Sequence, residues 1–260
     1  MPHKHITWTP VYTTSLHLIE GFWAVESFTV LAGTVDLTSG GERREVKQYI
    51  THLDYDAEDN YLHDIAVLED LSPHWAVESF TVLAGTVDLT SGGERREVKQ
   101  YITHLDYDAE DNYLHDIAVL ELKTALPVST SGNIQAVTLP TQGQTTDAGL
   151  TATVPGWGYL YTGGPTSDVL MYVDLLTYSD DECGRLLAGN AHDTNICAGV
   201  SGGGKGHCGG DSGGPLIVNG YQAGIVSWSV KPCASPPYPG VYTEVAHYVN
   251  WIKSRTGLTL

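Results

Sequence analysis

Cys208-Gly209-Gly210-Asp211-Ser212-Gly213-Gly214-Pro215 sets one serine among residues small enough for a backbone to turn tightly. Glycine reaches positive φ without a Cβ penalty and lets another chain approach closely. The amides of Gly210 and Ser212 are therefore able to converge on one oxygen atom. A serine hydroxyl is a weak nucleophile until a base takes its proton. The stretch thus predicts a nucleophile with an oxyanion hole, whose histidine and orienting carboxylate must come from elsewhere in the chain.

The rest of the chain bounds the setting. Its 260 residues, 42% hydrophobic and 17% charged, suffice for a sizeable core. The 29 glycines and 12 prolines, with abundant Val, Thr and Tyr, favour short strands and turns, so an all-β fold is expected. A formal net charge of −18, with no basic cluster, argues against nucleic acid. No apolar run is long enough to span a membrane. Four cysteines, Cys183, Cys197, Cys208 and Cys233, allow three pairings. They contain no CxxC pair, so structural disulfides are expected, and neither a metal nor a cofactor. Disulfides imply an oxidising compartment, whereas the opening Met1-Pro2-His3-Lys4-His5-Ile6-Thr7 lacks the apolar core of a signal peptide.

Residues Trp23 to Glu69 recur letter for letter as Trp75 to Glu121, a run of 47 residues repeated at an offset of 52. Repeats in solenoids diverge because end and middle units meet different neighbours. Here even surface positions are identical, which points to a very recent duplication or an error of assembly. Each copy carries ten acids and three bases, so the repeat supplies most of the acidity and the charge does not signal a cationic partner.

Strands are expected in the second copy at Ser79–Ala84, Glu97–Leu105 and Asp116–Leu122. Beyond it they are expected at Ile134–Leu139, Thr151–Trp157, Leu170–Leu176, Leu216–Val218, Gln222–Trp228 and Gly240–Glu244. Val245, Tyr248, Val249 and Ile252 share one helical face, predicting a helix over Val245–Ser254.

From Phe80 to the C-terminus the chain resembles the chymotrypsin-like serine proteases. The resemblance rests on His115-Asp116-Ile117-Ala118-Val119-Leu120, Pro155-Gly156-Trp157-Gly158, Cys197-Ala198-Gly199, the Ser212 stretch, Ile225-Val226-Ser227-Trp228 and Pro239-Gly240-Val241-Tyr242-Thr243. It implies two antiparallel six-stranded β-barrels with a C-terminal helix, the first barrel incomplete or rearranged. Residues 1–22 are unmatched, 23–69 duplicate part of the first barrel, 75–121 form its remainder, and 122–260 form the second barrel. The implied activity is that of a secreted, monomeric serine endopeptidase acting on peptides or proteins, with protein inhibitors as further partners. The alternative is a non-catalytic homologue that binds peptides or protein partners through the remaining pocket.

The same resemblance makes Ser212 the nucleophile, Gly210 and Ser212 the oxyanion donors, and Asp116 the carboxylate that holds a catalytic imidazole. Asp64 occupies the equivalent place in the first copy. Cys183 is expected to pair with Cys197, and Cys208 with Cys233. Gly206 falls at the base of the primary specificity pocket, with Ser229 and Gly240 on its walls. A neutral base favours an uncharged, apolar or aromatic residue before the scissile bond over Lys or Arg, with His207 set to narrow or polarise the pocket. Asp211 is the acid that receives a new N-terminal ammonium after proteolytic activation, and the opening Met1-Pro2 offers no such terminus.

The histidine is the departure. No Ala-Ala-His-Cys segment precedes Asp116. His74, eleven residues before Gly85, is the nearest stand-in, but it follows Ser72-Pro73 and reads as a loop residue. His115, as strand neighbour of Asp116, is expected to face the opposite way, and His104 and His52 to be solvated or packed. Activity of the chain is accordingly expected to be low. Two further patterns fail. Asp54–Asn60 lacks the glycine and glutamate of a calcium loop, and Gly199–Lys205 lacks the Ser or Thr of a phosphate loop.

Overall fold

The computed structural model describes residues 81–129 and 132–258, together with the backbone of three short strands nearer the N-terminus. The chain divides into two compact units, residues 25–80 and the remainder. Strand β1 (Leu16–Leu18) belongs to the larger unit. In the smaller, β2 (Ile50–Thr51) pairs antiparallel with β3 (Ala66–Val67), Ile50 opposite Val67 and Thr51 opposite Ala66.

The front of the larger unit is a four-stranded antiparallel sheet ordered β1-β6-β5-β4, built from β1, β4 (Thr81–Ala84), β5 (Glu94–Thr103) and β6 (Ala118–Leu122). Strand β6 is central and nearly all buried. Strand β5 is rich in Glu, Arg and Lys and buries only Val98 fully. In β5–β6, Ile102 faces Val119 and Thr103 faces Ala118. This register is the one that β2 and β3 adopt in the first copy of the repeat. These two residue pairs thus recur in both copies, so this part of the register is written locally in the repeated sequence.

The rear of the unit is a closed six-stranded barrel. It contains β7 (Thr151–Gly156), β8 (Met171–Thr177), β9 (Asn195–Gly199), β10 (Pro215–Val218), β11 (Tyr221–Trp228) and β12 (Gly240–Glu244). Ala152, Val154, Leu175, Leu216, Val218, Val226 and Tyr242 fill its centre. Gly224 lets β11 cross the core closely, since a Cβ there would lie 2.9 Å from the Tyr242 side chain and 3.0 Å from Ile196.

Helix α1 (Asp180–Leu186) starts at Ser179, whose hydroxyl accepts the Glu182 amide, with three acids in its first turn favouring the positive helix end. Helix α2 (Val245–Thr256) ends at Gly257 in the left-handed region. Its apolar face, Val245, Tyr248 and Ile252, packs with Ile117 and Ile225, which ties the approach to β6 onto the barrel beside Asp116.

Most expected strands lie within a few residues of those observed. Ile134–Leu139 is a correction: it forms no strand, and only Thr138 makes an isolated bridge, to Tyr221. Its alternation packs Ile134 against Gly85 instead of feeding a ladder. Strand β9 and helix α1 were not anticipated. Both disulfides have the expected pairing, Cys183–Cys197 between α1 and β9, and Cys208–Cys233 between two loops at the barrel's mouth. Among the described residues no helix is long and apolar enough to cross a membrane.

Candidate active site

The Ser212 turn hangs between β9 and β10. Within it the amides of Asp211, Gly213 and Gly214 donate to Cys208, Val226 and Asp211 carbonyls. Among the described residues, the amides of Gly210 and Ser212 make no hydrogen bond. Two main-chain donors on either side of Asp211 thus have no partner among the described residues, and an oxyanion hole needs donors left free in this way. Gly210 holds φ at +87°, and a Cβ there would lie 3.1 Å from Gly158 Cα, so both conformation and space select glycine.

The Asp211 side chain turns away from the hole. Its Oδ1 accepts from the Gly158 amide and Oδ2 from the Cys208 amide, each at 2.9 Å. A Cβ on Gly156 or Gly158 would collide with the carboxylate, so the two glycines form its cradle. Burial pushes the Asp211 pKa up, and the two amides and the Lys231 charge oppose that shift.

Asp116 lies at the start of the run into β6 and is only 5% exposed. Its Oδ2 accepts from Ser227 Oγ at 2.5 Å, while its backbone carbonyl accepts from Thr243 Oγ1 at 2.7 Å. Its Oδ1 is buried without a partner. Burial raises the pKa to about 6, with the Ser227 bond working the other way. Ser227 follows Val226, whose backbone exchanges two 2.9 Å hydrogen bonds with Gly213 and Gly214. A short ladder thus carries Asp116 to the flank of the Ser212 turn.

His115 corrects the expected reason for its exclusion. It is not in a strand: its φ of +56° turns the ring back to meet the Tyr248 hydroxyl at 2.8 Å and to stack on His104 at 4.6 Å. His104, just beyond β5, is packed as expected, against His115, Tyr248 and Trp251. The histidines with described side chains are 104, 115, 192, 207 and 247, and none hydrogen-bonds Asp116 or Ser212. His74, His52, Asp64 and the Asp54–Asn60 stretch lie outside the described residues.

Around the expected pocket, Gly206 packs near Ala234, where an added Cβ would meet the alanine methyl at 3.3 Å. His207 is buried, with Nδ1 3.0 Å from the Tyr242 hydroxyl. Its ring lies so close over Gly240 that a Cβ there would fall 2.6 Å from Cε1. Burial drives the His207 pKa down to about 4; the Lys231 charge acts in the same direction and the Trp228 carbonyl against it. Ser229 Oγ is buried and unpartnered.

A family model described as Trypsin matches residues 71–252. The chain belongs to the trypsin family. It is 38% identical over 183 residues to a trypsin of Phaedon cochleariae, covering 69% of each chain. It is 43% identical over 183 residues to trypsin-1 of Astacus astacus, covering 66% of this chain and 74% of that one. It is 39% identical over 184 residues to trypsin eta of Drosophila erecta, covering 68% of each.

Against that trypsin-family frame, several working residues went unassigned in the sequence. Ser227 and Gly158 sit inside quoted motifs, yet their tasks, holding Asp116 and Asp211, become visible only when distant segments meet. Tyr242 and Thr243 likewise sit in the Pro239–Thr243 motif and anchor His207 and the Asp116 backbone.

Proposed function

We propose that this chain is a serine endopeptidase by descent, secreted like an ordinary digestive member of its family, with low turnover in its present form. Ser212 is the nucleophile, Gly210 and Ser212 the oxyanion donors, and Asp116 the acid. In the full reaction a base takes the Ser212 proton, Oγ attacks the peptide carbonyl carbon, and the two amides hold the oxyanion. The protonated base then passes its proton to the leaving amine as the C–N bond breaks, and a water, deprotonated by the same base, releases the acyl group and restores the Ser212 hydroxyl. The observation that carries this reading is the Asp116 carboxylate: one oxygen is fixed by Ser227 and the other is buried and unpartnered beside the nucleophile turn. Such an oxygen suits an imidazole N–H. The sequence ahead of Asp116 holds no Ala-Ala-His-Cys segment to supply one, which supports low turnover.

The pocket reading is an uncharged residue before the scissile bond. It is supported by Gly206 at the base and by a buried His207 whose pKa of about 4 leaves it neutral at pH 7. A cationic side chain would there lose its hydration without a counter-charge.

The test is labelling of the full chain with a fluorophosphonate, alongside hydrolysis of a peptide library. Slow labelling confined to Ser212 and faint cleavage after uncharged residues are expected; loss of a triad member typically leaves about 10³–10⁴-fold over water. Fast labelling that His74→Ala abolishes would establish His74 as the base and a fully working triad. Peptide binding with no labelling at all would favour the non-catalytic homologue, and dominant cleavage after Lys or Arg would overturn the pocket reading.

A further inference from the structure

Asp116 precedes β6 and stands at the apex of a three-residue turn. The Ile117 amide donates to the His115 carbonyl at 2.8 Å, a hydrogen bond that skips only Asp116. The backbone on either side of the turn therefore sets where the carboxylate points. The Ile117 side is held by packing and pairing. Ile117 lies in the core with Ile225, Val245, Tyr248 and Ile252, and its carbonyl accepts from the His104 amide at 3.0 Å. Thr243 Oγ1 adds a hydrogen bond to the Asp116 carbonyl.

The His115 side is held differently. Its φ of +56° lies in the left-handed region, which Asn112 and Tyr113 share at +47° and +59°. Residues with a Cβ enter that region at a cost and stay there only where their surroundings fix them. At His115 the ring does the fixing. Its Nδ1 lies 2.8 Å from the Tyr248 hydroxyl on α2, and its face stacks on His104, whose ring packs in turn against Tyr248 and Trp251. Tyr248 is a firm anchor, buried on the helix face that packs with Ile117. Burial first, and the Asp116 charge after it, push the Tyr248 pKa up against the Thr194 hydrogen bond, so the anchor stays a neutral phenol. The same tyrosine thus grips both ends of the turn, Ile117 by packing and His115 by a hydrogen bond.

We propose that His115 is a positioning residue for Asp116: its ring, anchored on Tyr248 and backed by His104, locks the turn that presents the carboxylate. The proposal rests on the endopeptidase reading, in which that carboxylate orients an imidazole, and adds the residue that aims it.

The test follows the Asp116 carboxyl carbon of the full chain by NMR as a function of pH, with Asp116→Asn to assign the signal. In the parent the group is expected to titrate near 6, as its burial dictates. His115→Ala should let the carboxylate swing into water and lower its proton affinity by more than about tenfold, toward the ordinary 3.8. Tyr248→Phe, which deletes the hydroxyl and keeps the ring, should move the titration in the same direction. His115→Asn, whose amide can hydrogen-bond and whose backbone tolerates the left-handed region, should restore the parent value. His247→Ala, at an exposed position of the same helix, should leave it in place. A titration that neither His115→Ala nor Tyr248→Phe moves, or that His115→Asn fails to restore, overturns the inference alone. Failure of a fluorophosphonate to label Ser212 in the parent overturns the endopeptidase reading, and with it the purpose assigned to His115.

Discussion

The rear barrel and the front sheet of the larger unit use the same antiparallel pairing to different effect. In the barrel every strand from β7 to β12 has two neighbours, and residues such as Leu216, Ile225 and Val241 are wholly buried. In the front sheet β4 and β1 are edges among the described strands, and β5 turns Glu94, Arg95, Glu97 and Lys99 toward solvent. Closure, rather than strand content, separates the two. A closed sheet excludes water from its centre, and the Ser212 turn is hydrogen-bonded to that barrel through Val226; the front lends one buried acid from the segment before β6.

The strongest test of that contrast is a pair of core truncations. Leu216→Ala in the barrel should destabilise the chain by about 4 kcal/mol, and Val98→Ala in β5 by about 2 kcal/mol or less. Hydrogen exchange should rank the same way, with β10 and β11 amides exchanging last and β4 amides early. Equal costs, or protection that is uniform across both regions, would break the comparison.

The two regions should also answer pH with opposite sign. The folded pKa of Asp116, about 6, lies above its ordinary 3.8, so the folded state keeps a proton that the unfolded chain has released, and stability falls as pH rises between those values. The folded pKa of His207, about 4, lies below its ordinary 6.5, so its contribution is present above 6.5 and lost as pH falls toward 4. Each effect is worth about 3 kcal/mol. Relative to the parent, Asp116→Asn should gain stability from pH 4 to 6 and hold it above. His207→Gln should gain in the reverse direction, as pH drops below 6.5. Chemical denaturation across pH 4–8 reads both; parallel curves for parent and variants would show that neither burial matters.

The smallest effect should come from the surface of the front sheet. Lys99 pairs with Glu121 and Lys123 with Glu97, all but the half-buried Glu121 on exposed side chains. Lys99→Ala should leave the melting temperature unchanged within error in 0.15 M salt, because solvent and ions screen such pairs. A clear loss would mean that the sheet depends on these pairs for its register.

How much was legible in the sequence follows from the same contrast. The barrel strands announce themselves by alternation between turns, and Ser212, Asp116 and the four cysteines by their motifs. Strand β9 was hidden because Asn195–Gly199 is buried throughout and shows no alternation, so it read only as a cysteine motif. Helix α1 was there to be read: Ser179 and Glu182 have capping spacing, but seven residues carry too little periodicity to compete with their surroundings. Ile134–Leu139 had a strand-like pattern and no partner edge to use it. The Asp116–Ser227 contact spans 111 residues, and no local pattern encodes a contact of that range.

The repeated hairpin register has a kinetic consequence. β1 pairs with β6 along Val119, Leu120 and Glu121, and the first copy offers the same letters at Val67, Leu68 and Glu69. During folding, a strand from the N-terminus therefore meets the same sequence twice, and the nearer copy costs less loop entropy to reach. Refolding from denaturant should split between a fast route that captures the nearer edge and must then release it, and a direct one, giving two phases whose amplitudes sum to the whole. Breaking the first edge with Val67→Pro should leave a single phase.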